Sequence, residues 1–515
     1  MANDLASNKP SSVTLSIDTA NPGPEINKNI YGQFAEHLGR LLYDGMWVGP
    51  ESTIPNTRGW RNDVIEALKA IQVPVMRWPG GCFSDEYRWR DGIGPREERP
   101  VRVNSLWGGV EESNHVGTHE FFDLVEMIGA EAYVNCNMGT GSPREMAEWL
   151  EYLTSESKSE LAELRRRNGR DAPFRVHHFG IGNETWGAGG FMRPEYYCDR
   201  YKHWSTMARV PWHLPTNFIA SGGHGGDEQA VSSWTDYLTA NIEPNFLLKF
   251  DGVAFHYYTH PNHMPGFLVF EDLGSCLNFP EKQWISTLEE TLKMKDYLAE
   301  NVAVLDKNDP EGHVGFYVDE WGTWYDPEED ANGMLFQQNS LRDAVVAGLN
   351  FHVFHDQCER VRMTSIAQVT NVLQAMILTE GEQMLLTPTY HAFRLYVPFQ
   401  GAQRLPLNLE DVGTYDLEGH SVPKVTATAA RSEAGDVIVG LVNTHPHQAQ
   451  TVVLTLPEGA VSALKGEILT ADEMDAHNTF EAPRSVEPQA FEAAGSDGTL
   501  CIELPPKALL VGTVT

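Results

Sequence analysis

"RVHHFGIGNETWGAGG", residues 175–190, is the stretch whose reading decides the fold. A strand-like run, Val176 to Ile181, stops abruptly at an amide and a carboxylate, Asn183 and Glu184. Trp186 and a glycine-rich turn follow at once. Parallel α/β proteins present such groups at the carboxyl ends of their strands, where glycine turns leave room for a ligand.

Working outward, seven more runs of the same kind appear. They are "NIYGQFAEH", "VPVMRWPGG", "AEAYVNCNMG", "NFIASGGHG", "FDGVAFHYYTH", "VGFYVDEWG" and "MTSIAQVTNV". Helical patterns lie between them. "RNDVIEALKAIQ" places Val64, Ile65, Leu68 and Ile71 on one face. "SPREMAEWLEYL" offers Ser142 as N-cap, Pro143 at the first helical position and Glu145 to close a capping box. "FQQNSLRDAVVAGLNFHVFH" reads as a long buried helix whose histidines are satisfied core groups.

Eight β-then-α units predict an α/β fold, a (β/α)8 TIM barrel over residues 28–387. A doubly wound open sheet is the alternative, but its phosphate-binding glycine fingerprint is missing. After about residue 390, runs such as "DVIVGLVNTH" and "ALLVGTVT" alternate with Gly, Pro, Asn and Asp turns. These predict a C-terminal β-sandwich over 388–515. The segment 1–27 carries "SSVTLSIDT", a strand expected to join that sandwich.

The 515 residues carry 38 basic and 71 acidic side chains, a formal charge of −33. Such a surface repels phosphate backbones and anionic membranes, so neither nucleic acid nor a membrane is an expected partner. Six cysteines without a CxxC pair suit reduced thiols. The opening residues show no basic-then-apolar leader, and no run reaches the roughly 18 apolar residues of a membrane span. A cytoplasmic location is expected.

The strand ends, read alone, collect Glu36, then "RWPGGCF" with Cys82, "NCNMGTGS", Asn183–Glu184 and "GGHGG". His256 and Tyr258, Asp319–Glu320 with Trp321 and Trp324, then Gln368 and Asn371 complete the layer. Glu184 ends the fourth strand and Glu320 the seventh, across the barrel mouth. Two carboxyl groups about 5–5.5 Å apart suit a retaining glycosidase, and about 6.5–9.5 Å an inverting one. A metal-dependent sugar isomerase is the alternative from another class. It needs histidines and carboxylates at ligand spacing, and no HExxH or short His/Asp cluster is present. No metal and no cofactor are expected.

"GNETWG", "VDEWGTWY", "YGQFAEHLGR" and "MRWPGGCFSDEYRWRDGIGP" together resemble, in order and along the whole chain, the family 51 glycoside hydrolases. These are intracellular α-L-arabinofuranosidases. The resemblance implies Glu184 as acid/base and Glu320 as nucleophile of a retaining, exo-acting enzyme on arabino- and arabinoxylo-oligosaccharides. It further implies substrate-binding roles for Glu36, Asn183, His256, Tyr258, Trp324 and Gln368, with Asn183 holding the sugar 2-hydroxyl and Tyr258 orienting the nucleophile. Cys82 departs from relatives that carry Asn after the "PGG" turn, and a thiol is the weaker donor. A β-xylosidase or β-glucan hydrolase on the same barrel is the alternative activity. The family often forms hexamers, so the resemblance implies a homo-oligomer.

Overall fold

The computed structural model describes residues 12–226, 231–262, 272–327, 333–456, 461–496 and 498–515. Residues 1–11, where the expectation about a leader rests, lie outside the described residues. Eight parallel strands close into a barrel: Gly32–Phe34, Val75–Trp78, Glu131–Cys136, His178–Ile181, Asn217–Ala220, Gly252–Thr259, Gly315–Thr323 and Val361–Ala367. Six of them lie within the runs quoted above; the seventh ends one residue beyond its run, at Thr323, and the eighth begins two residues before its own, at Val361. The eighth pairs with the first, Ser365 opposite Gly32, so no edge remains. The seventh strand is buried at every position, as expected of a strand covered on both faces. Val75, Tyr133, Ile219, Ala254, Tyr317 and Met363 pack together as one layer of the barrel interior.

The helix Pro143–Thr154 begins as its sequence demands, with Ser142 Oγ accepting from Glu145 N at 3.3 Å. The reciprocal half of the expected box is different. The Glu145 carboxylate takes the Ser142 hydroxyl at 3.1 Å, because the side chain is exposed and free to reach the hydroxyl. The helix Leu341–Asp356 carries a complete box instead, between Ser340 and Asp343, and is buried almost throughout.

The sandwich consists of a six-stranded and a four-stranded sheet. The N-terminal strand Val13–Ile17 lies in the smaller sheet, parallel to Gln450–Thr455 and antiparallel to Leu407–Glu410. Its inward residues Val13, Leu15 and Ile17 join the sandwich core with Val439, Leu454 and Leu510. The expected start of the sandwich at 388 is displaced. Residues Pro388–Tyr396 form a helix, capped by Thr387 and opened by Pro388, that follows the eighth strand, and the first strand of the larger sheet is Gln403–Arg404. Among the described residues, no helix is long and apolar enough to cross a membrane.

Barrel and sandwich meet across two buried histidines of the helix Leu341–Asp356. His352 bonds Thr426 Oγ1 at 2.8 Å and the Tyr396 hydroxyl at 2.7 Å. His355 bonds Thr428 Oγ1 at 2.9 Å and the Tyr31 hydroxyl at 2.7 Å. Burial drives both below the usual imidazole range, His352 to about 3. The folded protein therefore keeps them neutral, while the unfolded chain takes up protons as pH falls below about 6.5. Stability is complete above that value and lost below it, by about 2 kcal/mol per histidine near pH 5. Thermal melts between pH 8 and pH 5 are expected to show this loss, with a shallower slope in His352→Gln. An unchanged slope in that variant would contradict the assignment.

Candidate active site

The turns after the strands place their polar groups around one cavity of about 420 Å3 at the barrel mouth. Glu36, Cys82, Glu184, His256, Tyr258, Glu320, Trp324 and Gln368 all line it, and Asn183 is buried beside them. The nine residues singled out from the sequence thus lie in one place.

Glu320 is held from three sides. Arg77 Nη1 donates to its Oε1 at 2.7 Å, Tyr258 donates its hydroxyl to Oε2 at 2.9 Å, and His256 Nδ1 stands 3.5 Å from Oε2. Burial pushes the Glu320 carboxyl upward, and His256 and Arg77 oppose that push. Glu184 accepts from His256 Nδ1 at 2.8 Å through Oε1, and the Cys82 thiol points at Oε2 from 3.7 Å. His256 Nε2 lies 3.1 Å from Asp319 Oδ1. Burial disfavours a charge on this imidazole. Glu320, Asp319 and Glu184 prevail and push it up to about 10, so at neutral pH it is an imidazolium.

Arg77 is the second cation of the site. It is wholly buried, with Nη2 donating to Asn183 Oδ1 at 2.7 Å and Nε 3.5 Å from Asp319 Oδ2. Its guanidinium lies over the Phe34 ring, 4.5 Å from the centroid. Asp319 also accepts from the Tyr133 hydroxyl at 2.7 Å. Burial alone would raise its carboxyl, but Arg77, His256 and Tyr133 hold it below the ordinary range. Three carboxylates thus face two cations, which is what allows so many charges to share a buried space.

Among the described residues, two amide side chains of the site each keep one atom unpartnered. Because Asn183 gives its oxygen to Arg77, its buried Nδ2 is left as a donor without an acceptor. Gln368 donates to Glu36 Oε2 at 3.0 Å, which leaves its Oε1 unpaired. Glu36 also accepts from Phe83 N at 2.9 Å and Trp107 Nε1 at 3.0 Å. Burial, helped by Glu320, nevertheless pushes its carboxyl up to about 7. Buried polar atoms without partners mark where a ligand supplies the missing bonds.

One donor atom each of Glu184, His256 and Glu320 lie within 4.8 Å of one another, a spacing of metal-ligand type that the sequence showed no sign of. The set suits a proton better than an ion. Metal-bound imidazole is neutral, so a cation here must first displace the protons that bridge His256 to its carboxylates.

The chain matches the family description "Alpha-L-arabinofuranosidase 1 domain" over residues 67–264 and "Alpha-L-arabinofuranosidase C-terminal domain" over 319–508. It is 43% identical to an intracellular exo-α-L-arabinofuranosidase from Bacteroides ovatus, covering 98% of this chain and 96% of that one. The chain belongs to glycoside hydrolase family 51, the α-L-arabinofuranosidases. The GH51 arabinofuranosidase from Xanthomonas axonopodis pv. citri superposes with a TM-score of 0.93 at 45% identity, over 98% of this chain and all of that one. The α-L-arabinofuranosidase from Thermotoga maritima, solved as an arabinose complex, superposes at 0.84 with 29% identity, over 98% and 99%.

The backbone of this family 51 chain is shaped to its site. Glu184 has φ +41°, in the left-handed region that a non-glycine residue rarely adopts. Its carbonyl accepts from both Gly187 N and Gly189 N, at 2.7 and 3.0 Å, which pins the turn. Gly81 is needed for close approach, since a Cβ there would stand 2.4 Å from Glu320 Oε1. The clash is with a carboxylate tip, so the fold survives by swinging Glu320 off Arg77. Gly81→Ala is accordingly expected to lower kcat/KM by about a hundredfold, with little change in Tm. A full-rate Gly81→Ala enzyme would show that Glu320 needs no fixed position.

Arg77, Asp319, Tyr133 and Trp107 are the site residues to which sequence reasoning assigned no role. Arg77 carried a usable signal, because a cation inside the apolar run "VPVMRWP" must find a buried partner. Trp107 carried none, since it enters the cavity from a hairpin, Arg102–Asn104 with Val110–Glu112, inserted between the second and third strands.

Proposed function

We propose that the chain is a retaining exo-α-L-arabinofuranosidase acting by double displacement, with Glu320 as nucleophile and Glu184 as acid/base. The spacing of the pair carries the reading. One oxygen of each carboxyl group lies within 4.8 Å of the other, which supports the close pair of a retaining enzyme over the about 6.5–9.5 Å spacing of an inverting one. Glu320 suits the nucleophile's part because Arg77 and Tyr258 each fix one of its oxygens. Glu184 has the freer carboxyl, with Oε2 facing the Cys82 thiol alone among the described residues, and can exchange protons with leaving group and water.

In the first step Glu320 attacks the anomeric carbon while Glu184 protonates the departing oxygen. In the second, Glu184 takes a proton from water, which attacks the same carbon and releases Glu320. His256 stays protonated through both, holding the two glutamates apart. Asn183 Nδ2 donates to the sugar 2-hydroxyl, a bond that strengthens as the anomeric carbon gains positive charge. Glu36 and Gln368 receive the remaining hydroxyls of a terminal arabinofuranosyl group, with Trp324 as a wall. The relative named intracellular and six free cysteines support cytoplasmic action on short arabino- and arabinoxylo-oligosaccharides.

Proton NMR of the first arabinose released is the test. Retention predicts the α-anomer before mutarotation, and the β-anomer would overturn the mechanism. Full activity is expected after exhaustive EDTA treatment, since no step calls on an ion; loss restored by a divalent metal would contradict that.

A further inference from the structure

Asp85 stands behind the catalytic layer and has no part in the chemistry above. It ends the short turn Cys82–Asp85, within the motif "GGCFSDEY". Its Oδ1 accepts from Met138 N at 3.1 Å and Gly139 N at 2.9 Å. Its carbonyl oxygen accepts from Thr140 N at 3.0 Å and Thr140 Oγ1 at 2.9 Å. The residue therefore ties the turn after the second strand to the turn after the third. Its Oδ2 is different, being buried and, among the described residues, without a partner.

What Oδ2 faces is the turn that carries Asn183 and Glu184. A Cβ placed on Gly189 would lie 3.0 Å from Asp85 Oδ2 and 1.9 Å from the Asn183 carbonyl oxygen. Two acceptor oxygens, one a carboxylate oxygen and one a backbone carbonyl, thus border the same small space, and among the described residues no donor reaches that Asp85 oxygen. An ionised carboxylate can only accept, whereas a carboxylic acid brings an O–H to such a place. We propose that Asp85 is a neutral carboxylic acid in the working enzyme, its O–H directed into the 183–189 turn, and that it is a positioning residue for Asn183 and Glu184.

The charged and titratable groups around it agree. Glu184, from the fourth-strand turn, disfavours a second negative charge, and the thiols Cys82 and Cys136 feel Asp85 as well. Arg200, from the helix Pro194–Met207, favours the charge, but its Nη2 is committed to the Met138 carbonyl at 3.1 Å. Burial is the largest influence and pushes the carboxyl up to about 8. Ionisation above that value places an unpaired charge behind Glu184 and loosens its turn.

The inference rests on Glu184 being the acid/base. Its test is the pH profile of kcat on an aryl arabinofuranoside with a good leaving group, which needs little help from an acid in the first step. Asp85→Asn keeps an oxygen for the two amides and supplies a permanent N–H donor in place of the O–H. Relative to its own neutral rate, the wild-type enzyme is expected to fall about tenfold by pH 9, and Asp85→Asn by no more than about twofold. Asp85→Ala, with no donor at any pH, is expected to be slow throughout. Difference infrared spectra of wild type against Asp85→Asn should also show a protonated carboxylic acid band at neutral pH. If Asp85→Asn does not fold, the difference spectrum of wild type against Asp85→Ala carries the test. Coincident alkaline limbs, a fast Asp85→Ala enzyme or absence of the band would each overturn the proposal. An active Glu320→Ala enzyme would sink the mechanism instead and leave the infrared result standing.

Discussion

Glu320→Ala is expected to lower kcat by at least about 10⁴-fold, the largest effect of any single change in this chain. The loss follows from the geometry, because the neighbouring carboxylate in the chain is no substitute. Asp319 is turned away and fully engaged with Arg77, His256 and Tyr133. Azide separates the two glutamates. Added to Glu184→Ala with an activated substrate, it is expected to restore turnover by attacking the covalent intermediate, and the arabinosyl azide keeps the starting configuration. In Glu320→Ala it fills the vacated space and gives the inverted azide. The opposite pairing of configurations would exchange the roles assigned to the two residues.

Arg77→Met is expected to give the largest loss of stability together with a loss of activity. The guanidinium touches Glu320, Asn183 and Asp319 in a space closed to water. Removing it leaves buried carboxylates against a single cation, His256. Breaking a buried ion pair from one side costs about 3–5 kcal/mol. Protons would offset part of that cost, so the variant should lose less stability than the wild-type protein as pH falls toward 5. The Asn183 amide also loses the bond that fixes its orientation, and kcat/KM should fall further than Tm alone explains. A melt and a pH profile matching the wild type would show that the carboxylates do not depend on Arg77.

The barrel was legible because its signals are repeated eight times. Each buried strand reads as a short apolar run, and each ends in a polar residue or a glycine turn. Glu184 and Glu320 were legible for the same reason, as charges where an apolar run stops. The helix Pro388–Tyr396 was hidden by its brevity and by the strand-rich texture that follows. The electrostatics of the site were also hidden. Sequence order shows two glutamates facing each other and nothing of the cations between and beneath them. The structure places His256 between them and Arg77 beneath one. That arrangement depends on the closed barrel setting the second strand across the mouth from the sixth and seventh, which no local spacing encodes. Gly81 was quoted as part of a turn, yet its reason, the carboxylate 2.4 Å from its missing Cβ, exists only in three dimensions.

The central claim is a covalent arabinosyl ester on Glu320. Glu184→Ala mixed with an aryl arabinofuranoside bearing a good leaving group should form that ester and hydrolyse it slowly, for want of a base. Mass spectrometry of the acid-quenched protein is expected to show a gain of one anhydropentose, located in the peptide containing Gly315–Thr323 and on Glu320. Steady turnover with no added mass, or the sugar found on another residue, would contradict the account.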